Sequence, residues 1–539
     1  MLQGGTASAC SATDRTPTDA DTDRTGADPT SAARTSANPV DPTPAGPVTA
    51  VVLAAGEGTR MRSATPKVLH PVAGRPLVEH AVRAAAGIDP AHLVVVVGHG
   101  RDAVGEHLTG LATRLGRELG AAVQEEQRGT GHAVGCALDV LPADLTGTVV
   151  VSYGDVPLLD ADTLRALLVE HARAGNAVTV LTTVVADPTG YGRILREADG
   201  AVAGIVEHKD ASAEQRAITE INSGVYAFDA EVLRDGLGRI STDNVQGELY
   251  LTDVLGVARG DGRRVGALVC DDPWLVEGVN DRVQLARLGG ELNRRLLERW
   301  MRAGVTVVDP ASVWLDADVE LARDVVLEPG VQLRAGTTVG EGAVVGPDTT
   351  LVGCVVHPGA TVVRTHGTGA EIGANASVGP FAYLRPGTRL GVSGKVGAFV
   401  EVKNSDIGAG SKVPHLSYVG DATIGDHSNI GAATVFVNYD GERKHRTVIG
   451  SHCRTGSDNM FVAPVQVGDG AYTAAGSVIT HDVPPGAMAV ARARQRNVEG
   501  WVARRRPGSP ADQAAQRALT ALETGAADGA AGDTHGEGE

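Results

Sequence analysis

Apolar residues return at every sixth position through much of the second half of the chain. Leu321, Leu327, Leu333, Val339, Val345 and Leu351 keep strict step, as do Ile449, Thr455, Phe461, Val467, Thr473 and Ile479. Ile372, Val378 and Leu384 keep the same interval, and so do Ile424, Ile430 and Phe436. A helix repeats at ~3.6 residues and a strand at ~2, so neither explains a period of six. A hexapeptide repeat makes one flat face of a coil. Three faces close a turn, and the aliphatic residue points inward. Residues 304–506 are therefore expected to form a parallel β-helix. Glycine, at 70 residues, suits its tight corners because it lacks a Cβ.

Two polar stretches interrupt the period. One holds Val396–Lys403 and Lys412–Asp421; the other is Asn438–Arg446. Both are expected as loops leaving a rigid scaffold, where sites concentrate. His415 stands in the first, with Lys403, Lys412 and Tyr418 nearby and Arg385 upstream. A lone histidine is more often structural, and the chain has 16. Here the cations describe an anion site beside an imidazole able to take a proton near neutrality. Lysine is itself scarce: only residues 67, 209, 395, 403, 412 and 444. In a chain that otherwise uses arginine, a retained lysine points to a need for a compact charge.

The first half has a different grammar. Val48–Leu53 is a short apolar run followed by Ala54-Ala-Gly-Glu-Gly-Thr-Arg60 and, beyond a proline, Lys67. A strand ending in a glycine-rich turn lets backbone N–H groups approach a phosphate, and Arg60 and Lys67 add charge. A Gly-x-Gly after a strand is also an ordinary tight turn, and this one is neither a Walker A loop nor a three-glycine dinucleotide fingerprint. Helical spacing over Leu77–Ala86 alternates with apolar runs at His92–Val97, Thr148–Ser152 and Ala177–Thr183. That alternation predicts an α/β domain over residues 48–282 with a mostly parallel, Rossmann-like sheet. Ligands in such sheets sit at the carboxyl ends of the strands. The turn at 54–60, the segment Gln124–Thr130 and Tyr153-Gly-Asp155 all fall there. Asp155 is either a turn residue or a Mg²⁺ ligand, with Asn280 as a possible second oxygen donor. Leu285, Leu288, Leu292, Leu296 and Trp300 predict one linker helix over 283–303.

Composition excludes several classes. A formal charge of −17 argues against nucleic acid or an anionic membrane as partner. No apolar run is long enough to span a bilayer. Five cysteines lack metal-ligand spacing and fit free thiols in a reducing, cytoplasmic setting. Residues 1–47, rich in Thr, Ala, Asp, Ser and Pro, are expected to be disordered; a misassigned start is an alternative. The acidic stretch 507–539 is expected to be disordered too.

The wording Leu53-Ala-Ala-Gly-x-Gly-Thr-Arg-Met with Pro66-Lys-Val-Leu69 resembles sugar-nucleotide pyrophosphorylases. Further segments come in order: Gln124–His132, Tyr153–Asp155, Asp187–Arg193, Ile205–Asp210, Glu220–Gly224 and Glu277–Asn280. They resemble the uridylyltransferase half of the bacterial bifunctional N-acetylglucosamine-1-phosphate uridylyltransferase / glucosamine-1-phosphate N-acetyltransferase family. That resemblance implies that Leu53, Ala54, Ala55, Gly56, Arg60, Lys67, Gln124, Gly129 and Thr130 meet UTP, with Tyr153 and Gly154 on the same ligand. It implies Gly192, Glu207 and Asn222 around N-acetylglucosamine, and Asp155 with Asn280 on Mg²⁺.

The coil resembles the acetyltransferase half through Leu384–Gly387, Glu401–Lys403, His415–Asp421, Ile424–Asp426, Asn429–Gly431, Asn438–Gly441 and Gly456–Asp458. The family's coil is left-handed. The resemblance implies Arg385, Lys403, Tyr418 and Asn429 on glucosamine-1-phosphate and His415 as general base. It implies Ala432, Asn438, Tyr439, Ser457, Ala475 and Arg492 along acetyl-CoA, in a homotrimer whose sites lie between neighbouring coils. Ala433 departs from the pattern, since family members often carry glycine there. Glu57 is expected to face away from phosphate. Two alternatives stay open at this level: a pyrophosphorylase whose coil only assembles oligomers or binds a regulator, and a different sugar or base specificity, against which Gln124 and Glu207 speak; a non-enzymatic scaffold would leave both clusters unexplained.

Overall fold

The computed structural model describes residues 46–198 and 200–530, so the expectation for residues 1–45 lies outside the described residues. Residues 48–270 carry a nine-stranded sheet. Seven strands run in the order Val265–Cys270, Val178–Val184, Glu220–Asp229, Thr148–Tyr153, Val48–Ala54, His92–Val97, Gly120–Val123; off that path, Arg193–Arg196 pairs with Glu220–Asp229 and with Val202–Val206. Along the seven, all neighbours are parallel except Glu220–Asp229, which runs antiparallel to both of its partners there. Valine-rich strands buried on both faces need helices on both sides. Leu77–Ala86 and Arg101–Leu115 close one apolar layer and Thr130–Asp139 another. In Glu220–Asp229 the register shifts between Asn222 and Tyr226. That irregularity falls where the strand passes the site.

The helix Arg282–Arg302 follows, N-capped by Asp281, whose carboxylate accepts from Val283 and Gln284 N–H. It does more than connect. Asn293, buried inside it, donates to Val313 O at 2.8 Å and accepts from Leu315 N at 2.9 Å, so helix and first coil turn share hydrogen bonds. A hairpin at residues 71–76 closes the junction: Ala317 N–H donates to Ala73 O at 2.8 Å.

From Thr306 to Ala489 the chain forms a parallel β-helix with three walls of stacked short strands. Leu327 pairs with Val345, Leu333 with Leu351 and Leu321 with Val339, each inside the coil. One apolar cluster runs unbroken from Leu297 to Val483. Two expectations need correction. The stretch 396–421 is coil wall: Val396 pairs with Val413 and Val402 with Val419. Its polar residues are the outward half of each strand, which a coil exposes at no cost to its core. Asn438–Arg446 alone is a true loop, between the strands Val435–Val437 and Thr447–Ile449. Nor are the corners all glycine. Leu416, Ala433, His427 and Asp458 hold φ between +51° and +59°. The stacked backbone bonds of adjacent turns hold that conformation despite its cost.

The tail differs from expectation as far as residue 530; the expectation for residues 531–539 lies outside the described residues. Pro510–Ala530 is a helix, with Ser509 Oγ accepting from Asp512 N at 3.2 Å and Asp512 Oδ2 accepting from Gly508 N at 2.9 Å. Its Ala, Leu, Gln and Glu are strong helix formers, which outweighs the lack of a core. Among the described residues, no helix is long and apolar enough to cross a membrane.

Candidate functional site

Three parallel strands, Val48–Ala54, Gly120–Val123 and Thr148–Tyr153, end on one edge of the sheet. Two adjoining pockets of about 370 and 290 Å³ open there. Leu53, Ala54, Ala55, Gly56, Lys67, Gln124, Gly129 and Thr130 line the larger. The smaller holds Gly192, Glu207 and Asn222. Thr130, Tyr153, Asp155 and Asn280 line both and mark the passage between them.

Glycines make this closeness possible. Gly129 has φ +104°, and a Cβ there would stand 2.5 Å from Leu249 O. It precedes the helix Thr130–Asp139, so the free N–H groups of a helix N-terminus begin at the pocket wall. At Gly192 a Cβ would stand 3.1 Å from Glu207 Oε1 and 3.4 Å from Asn222 Cβ. Asn222 Oδ1 accepts from Gly224 N and Tyr226 Oη, both at 2.9 Å, which fixes its amide. Burial, followed by the charges of Asp210 and Asp253, pushes the Glu207 carboxyl up. Burial, followed by the charges of Glu207 and Asp155, pushes the Tyr153 phenol up.

Lys67 Nζ donates to Asp155 Oδ2 in a mostly buried ion pair. Val279 N–H donates to Asp155 O at 2.9 Å, holding the Asn280 segment against Asp155. The two residues thus offer a carboxylate and a carboxamide oxygen on the same passage. Among the described residues there is no cluster of three or more His, Cys, Asp or Glu suited to a metal. A hard cation held by two protein oxygens, with the remainder from ligand and water, fits that donor set.

Two expected contacts are placed differently. Gly154 lies behind the wall: its N–H donates to Leu53 O at 2.8 Å, and a Cβ would stand 3.1 Å from Ala54 Cβ. It spaces the strands rather than lining the pocket. Arg60 stands exposed on the rim, where a short turn at Thr59–Met61 carries it, and its Nη2 donates to Asn280 Oδ1 at 2.7 Å. Glu57 lines a separate hollow with His99 and Arg101 rather than either pocket. The sequence reading missed Gln127, Glu248, Tyr191, Tyr250 and Gly224, which line the pockets. Gln127, Tyr191 and Gly224 left a signal, inside the segments Gln124–His132, Asp187–Arg193 and Glu220–Gly224. A Cβ at Gly224 would strike Tyr153 at 2.4 Å.

The coil arranges its residues differently. Leu416 N–H donates to Ala398 O, Ala433 N–H to His415 O, Asp458 N–H to Ala432 O and Gly476 N–H to Ser457 O, at 2.7–3.2 Å. His415, Ala432, Ser457 and Ala475 therefore stack on consecutive turns along one corner, ~5 Å apart. Arg492 approaches the end of that column beside Gly476. The His415 ring is exposed at the corner. Ala433 occupies the next column, with Leu416 and Asp458, where side chains are accommodated on the same backbone.

On the adjoining wall Tyr383, Glu401 and Tyr418 stack in register. Arg385 Nη1 donates to Glu401 Oε1 at 2.9 Å. Lys403 points to Asp421, 3.9 Å away, and is pushed down chiefly by its neighbour Lys444. Asn438, buried at the loop's start, donates to Asp421 Oδ2 at 2.5 Å and lies 3.4 Å from Tyr418 Oη. Tyr439 is exposed on the loop and bridges Lys444 through the backbone. Lys444, on the loop, thus joins Lys403 and Arg385 in one group of positive charge. Lys444 was missed, although the scarcity of lysine pointed to it. Asn429 is not brought to this group: its register partners are Lys412 and Arg454, on another wall.

A MobA-like NTP transferase domain matches residues 50–217. The full chain is 64% identical over 472 residues to a bifunctional protein GlmU of Kineococcus radiotolerans, covering 88% of this chain and 95% of the relative. It is 63% identical over 466 residues to the bifunctional protein GlmU of Mycolicibacterium gilvum, covering 86% and 94%. Against that of Corynebacterium efficiens it is 60% identical over 472 residues, covering 88% and 97%. With both halves of those relatives spanned at such identity, the chain belongs to the bifunctional GlmU family.

Proposed function

We propose that the chain makes UDP-N-acetylglucosamine in two steps, at one site in each half. The coil transfers an acetyl group from acetyl-CoA to the amine of glucosamine-1-phosphate. The α/β half then joins the product to UTP and releases pyrophosphate. The product feeds peptidoglycan and other envelope polysaccharides, which places the enzyme in the cytoplasm, where UTP and acetyl-CoA are available.

The observation that carries this reading is the straight column His415–Ala432–Ser457–Ala475 beside the Arg385–Lys403–Lys444 group. Any coil stacks its corners, but a scaffold needs no exposed histidine in such a column beside gathered cations. An extended thioester ligand along the corner brings its acyl end to His415, and the cationic group takes the sugar phosphate. His415 accepts the amine proton as nitrogen attacks the thioester carbonyl, and CoA leaves as the thiol. Asn429, on another wall, completes a site of this kind from a neighbouring copy, which is the reason for proposing a homotrimer.

In the α/β half the attacking phosphate oxygen is already anionic, so no base is required. Lys67 and Arg60 offset the repulsion between two anionic reactants, and the backbone at Leu53–Gly56 holds the triphosphate in line. Gln124, Gly129 and Thr130 hold the nucleotide, and Gly192, Glu207 and Asn222 the acetylated sugar. Asp155 and Asn280 would hold Mg²⁺, which when bound supplies further neutralisation of the phosphates.

The test is thiol release from acetyl-CoA with glucosamine-1-phosphate, native protein against His415→Ala. Release by the native protein, its loss in the variant, and uridylyl transfer intact in both is the expected result. No release by well-folded native protein would leave the coil a scaffold and overturn the reading.

A further inference from the structure

Gln124 sits at the end of the strand Gly120–Val123 with its side chain buried in the wall of the larger pocket. Its backbone is pinned by a 2.8 Å bond from Gln124 N to Val97 O. A carboxamide has one acceptor end and one donor end of nearly equal shape. Which end meets a ligand is decided by what holds the other. Here Gln124 Nε2 lies 3.0 Å from Gly129 O and 3.1 Å from His132 Nδ1. The Gly129 carbonyl can only accept, so the NH₂ end must face it. The second amide hydrogen then needs an acceptor. His132 Nδ1 supplies it only as a neutral ring carrying its proton on Nε2.

The two groups beside His132 Nε2 pull in opposite directions. Its Nε2 lies 3.7 Å from Cys136 Sγ, a soft acceptor one helical turn on. Arg128 Nη2 is 3.3 Å from the same nitrogen and, because a guanidinium only donates, it favours the opposite tautomer; this side chain is exposed and also pairs with Glu126, so the buried amide contacts outweigh it. Were Nδ1 to carry the proton instead, the amide would have to turn. Its oxygen would then oppose the Gly129 carbonyl, two acceptors face to face.

We infer that His132 is a positioning residue for base choice: by accepting from the Gln124 amide it commits both amide hydrogens inward and leaves Gln124 Oε1 as an acceptor for the base. The inference rests on the proposed nucleotide site. An acceptor matches the N3–H of uracil and opposes the lone pair at N3 of cytosine. Discrimination between these bases therefore depends on a ring that need not touch the nucleotide.

The experiment compares kcat/KM for UTP and CTP in full-length protein carrying His132→Leu, His132→Asn or Gln124→Leu. The circular dichroism spectrum and melting curve of the same preparations report that each is folded. His132→Leu removes the acceptor and should lower the UTP-to-CTP ratio by ~10–100-fold, the scale of one misplaced polar partner. His132→Asn keeps an acceptor near the place of Nδ1 and should hold the ratio within ~3-fold of native. If His132→Leu slows both nucleotides equally and keeps the ratio, His132 is merely structural and the inference is overturned while the nucleotide site stands. If Gln124→Leu also keeps the ratio, the base does not lie at Gln124, and the reading of the pocket falls with it.

Discussion

The two halves build a site in opposite ways. In the α/β half, residues far apart in sequence converge on one sheet edge, with Lys67 on Asp155 and Arg60 on Asn280. In the coil, His415, Ala432, Ser457 and Ala475 are laid out in a line by successive turns. The first arrangement gives an enclosed pocket with perturbed groups such as Glu207 and Tyr153. The second gives an open corner with His415 exposed. Convergent loops can wrap a ligand; a solenoid presents a rail, and its enclosure must come from something else. This is the physical argument for a second copy at the coil.

The largest expected effect would break the comparison outright. His415→Ala should reduce acetyl transfer by ~10²–10⁴-fold, the usual range for a lost general base, and leave uridylyl transfer unchanged. A parallel fall in both activities would mean that the halves are coupled. The reciprocal variant, Lys67→Met, should cut uridylyl transfer by ~10²–10³-fold, since a charge aimed at phosphate is lost from a shielded site. It also leaves Asp155 without its partner, so the variant should gain in dependence on Mg²⁺ concentration if Asp155 holds the ion.

Acid should separate the halves more gently. The α/β half buries charge: Glu79 meets Arg83, Arg114 and His107 inside a helix pair. Burial would raise its pKa, but bonds from His107 and Arg83 and the nearby Arg charges hold it down to about 2. A carboxyl lowered on folding stabilises fully above its unfolded value, and that contribution is lost as pH falls toward about 2. His70, His80 and His171 are pushed down by burial first, so the unfolded chain takes up protons more readily below the ordinary histidine value. Both shifts act in the same direction. The coil interior is apolar instead, and buried polar groups in it are hydroxyls such as Thr337, Thr388 and Ser405, bonded to backbone. Hydrogen exchange at pH 4 should show the α/β half opening before the coil. The reverse order would mean that the ion cluster contributes little.

The smallest effect concerns one methyl group. Ala433 holds φ +59°. Ala433→Gly should relieve ~1 kcal/mol of backbone strain, partly offset by the greater freedom of glycine in the unfolded chain. The melting temperature should move by no more than a few degrees. The KM for acetyl-CoA should change by less than ~3-fold, because Leu416 and Asp458 already place side chains in that column. A large gain in affinity would put the ligand over Ala433 rather than over Ala432.

Much was legible in the sequence because periodicity is a local property with a global consequence. Six-residue spacing of Leu321 through Leu351 fixes an inward side chain on every face, and no other packing buries it. The strand-and-turn at Val48–Gly56 was equally plain, since a buried strand must end in a turn that exposes backbone N–H groups. Stacking was not legible. Val345 pairs with Val362 and Val356 with Ile372, turns shorter than the eighteen residues from Leu327 to Val345. Only the folded coil shows which residues share a column. The same holds for hydrogen-bond polarity. Gln124 reads as a polar residue in any listing of the chain. Only the tertiary structure places Gly129 O and His132 Nδ1 against one end of its amide, and an acceptor can be told from a donor only by its neighbours in space.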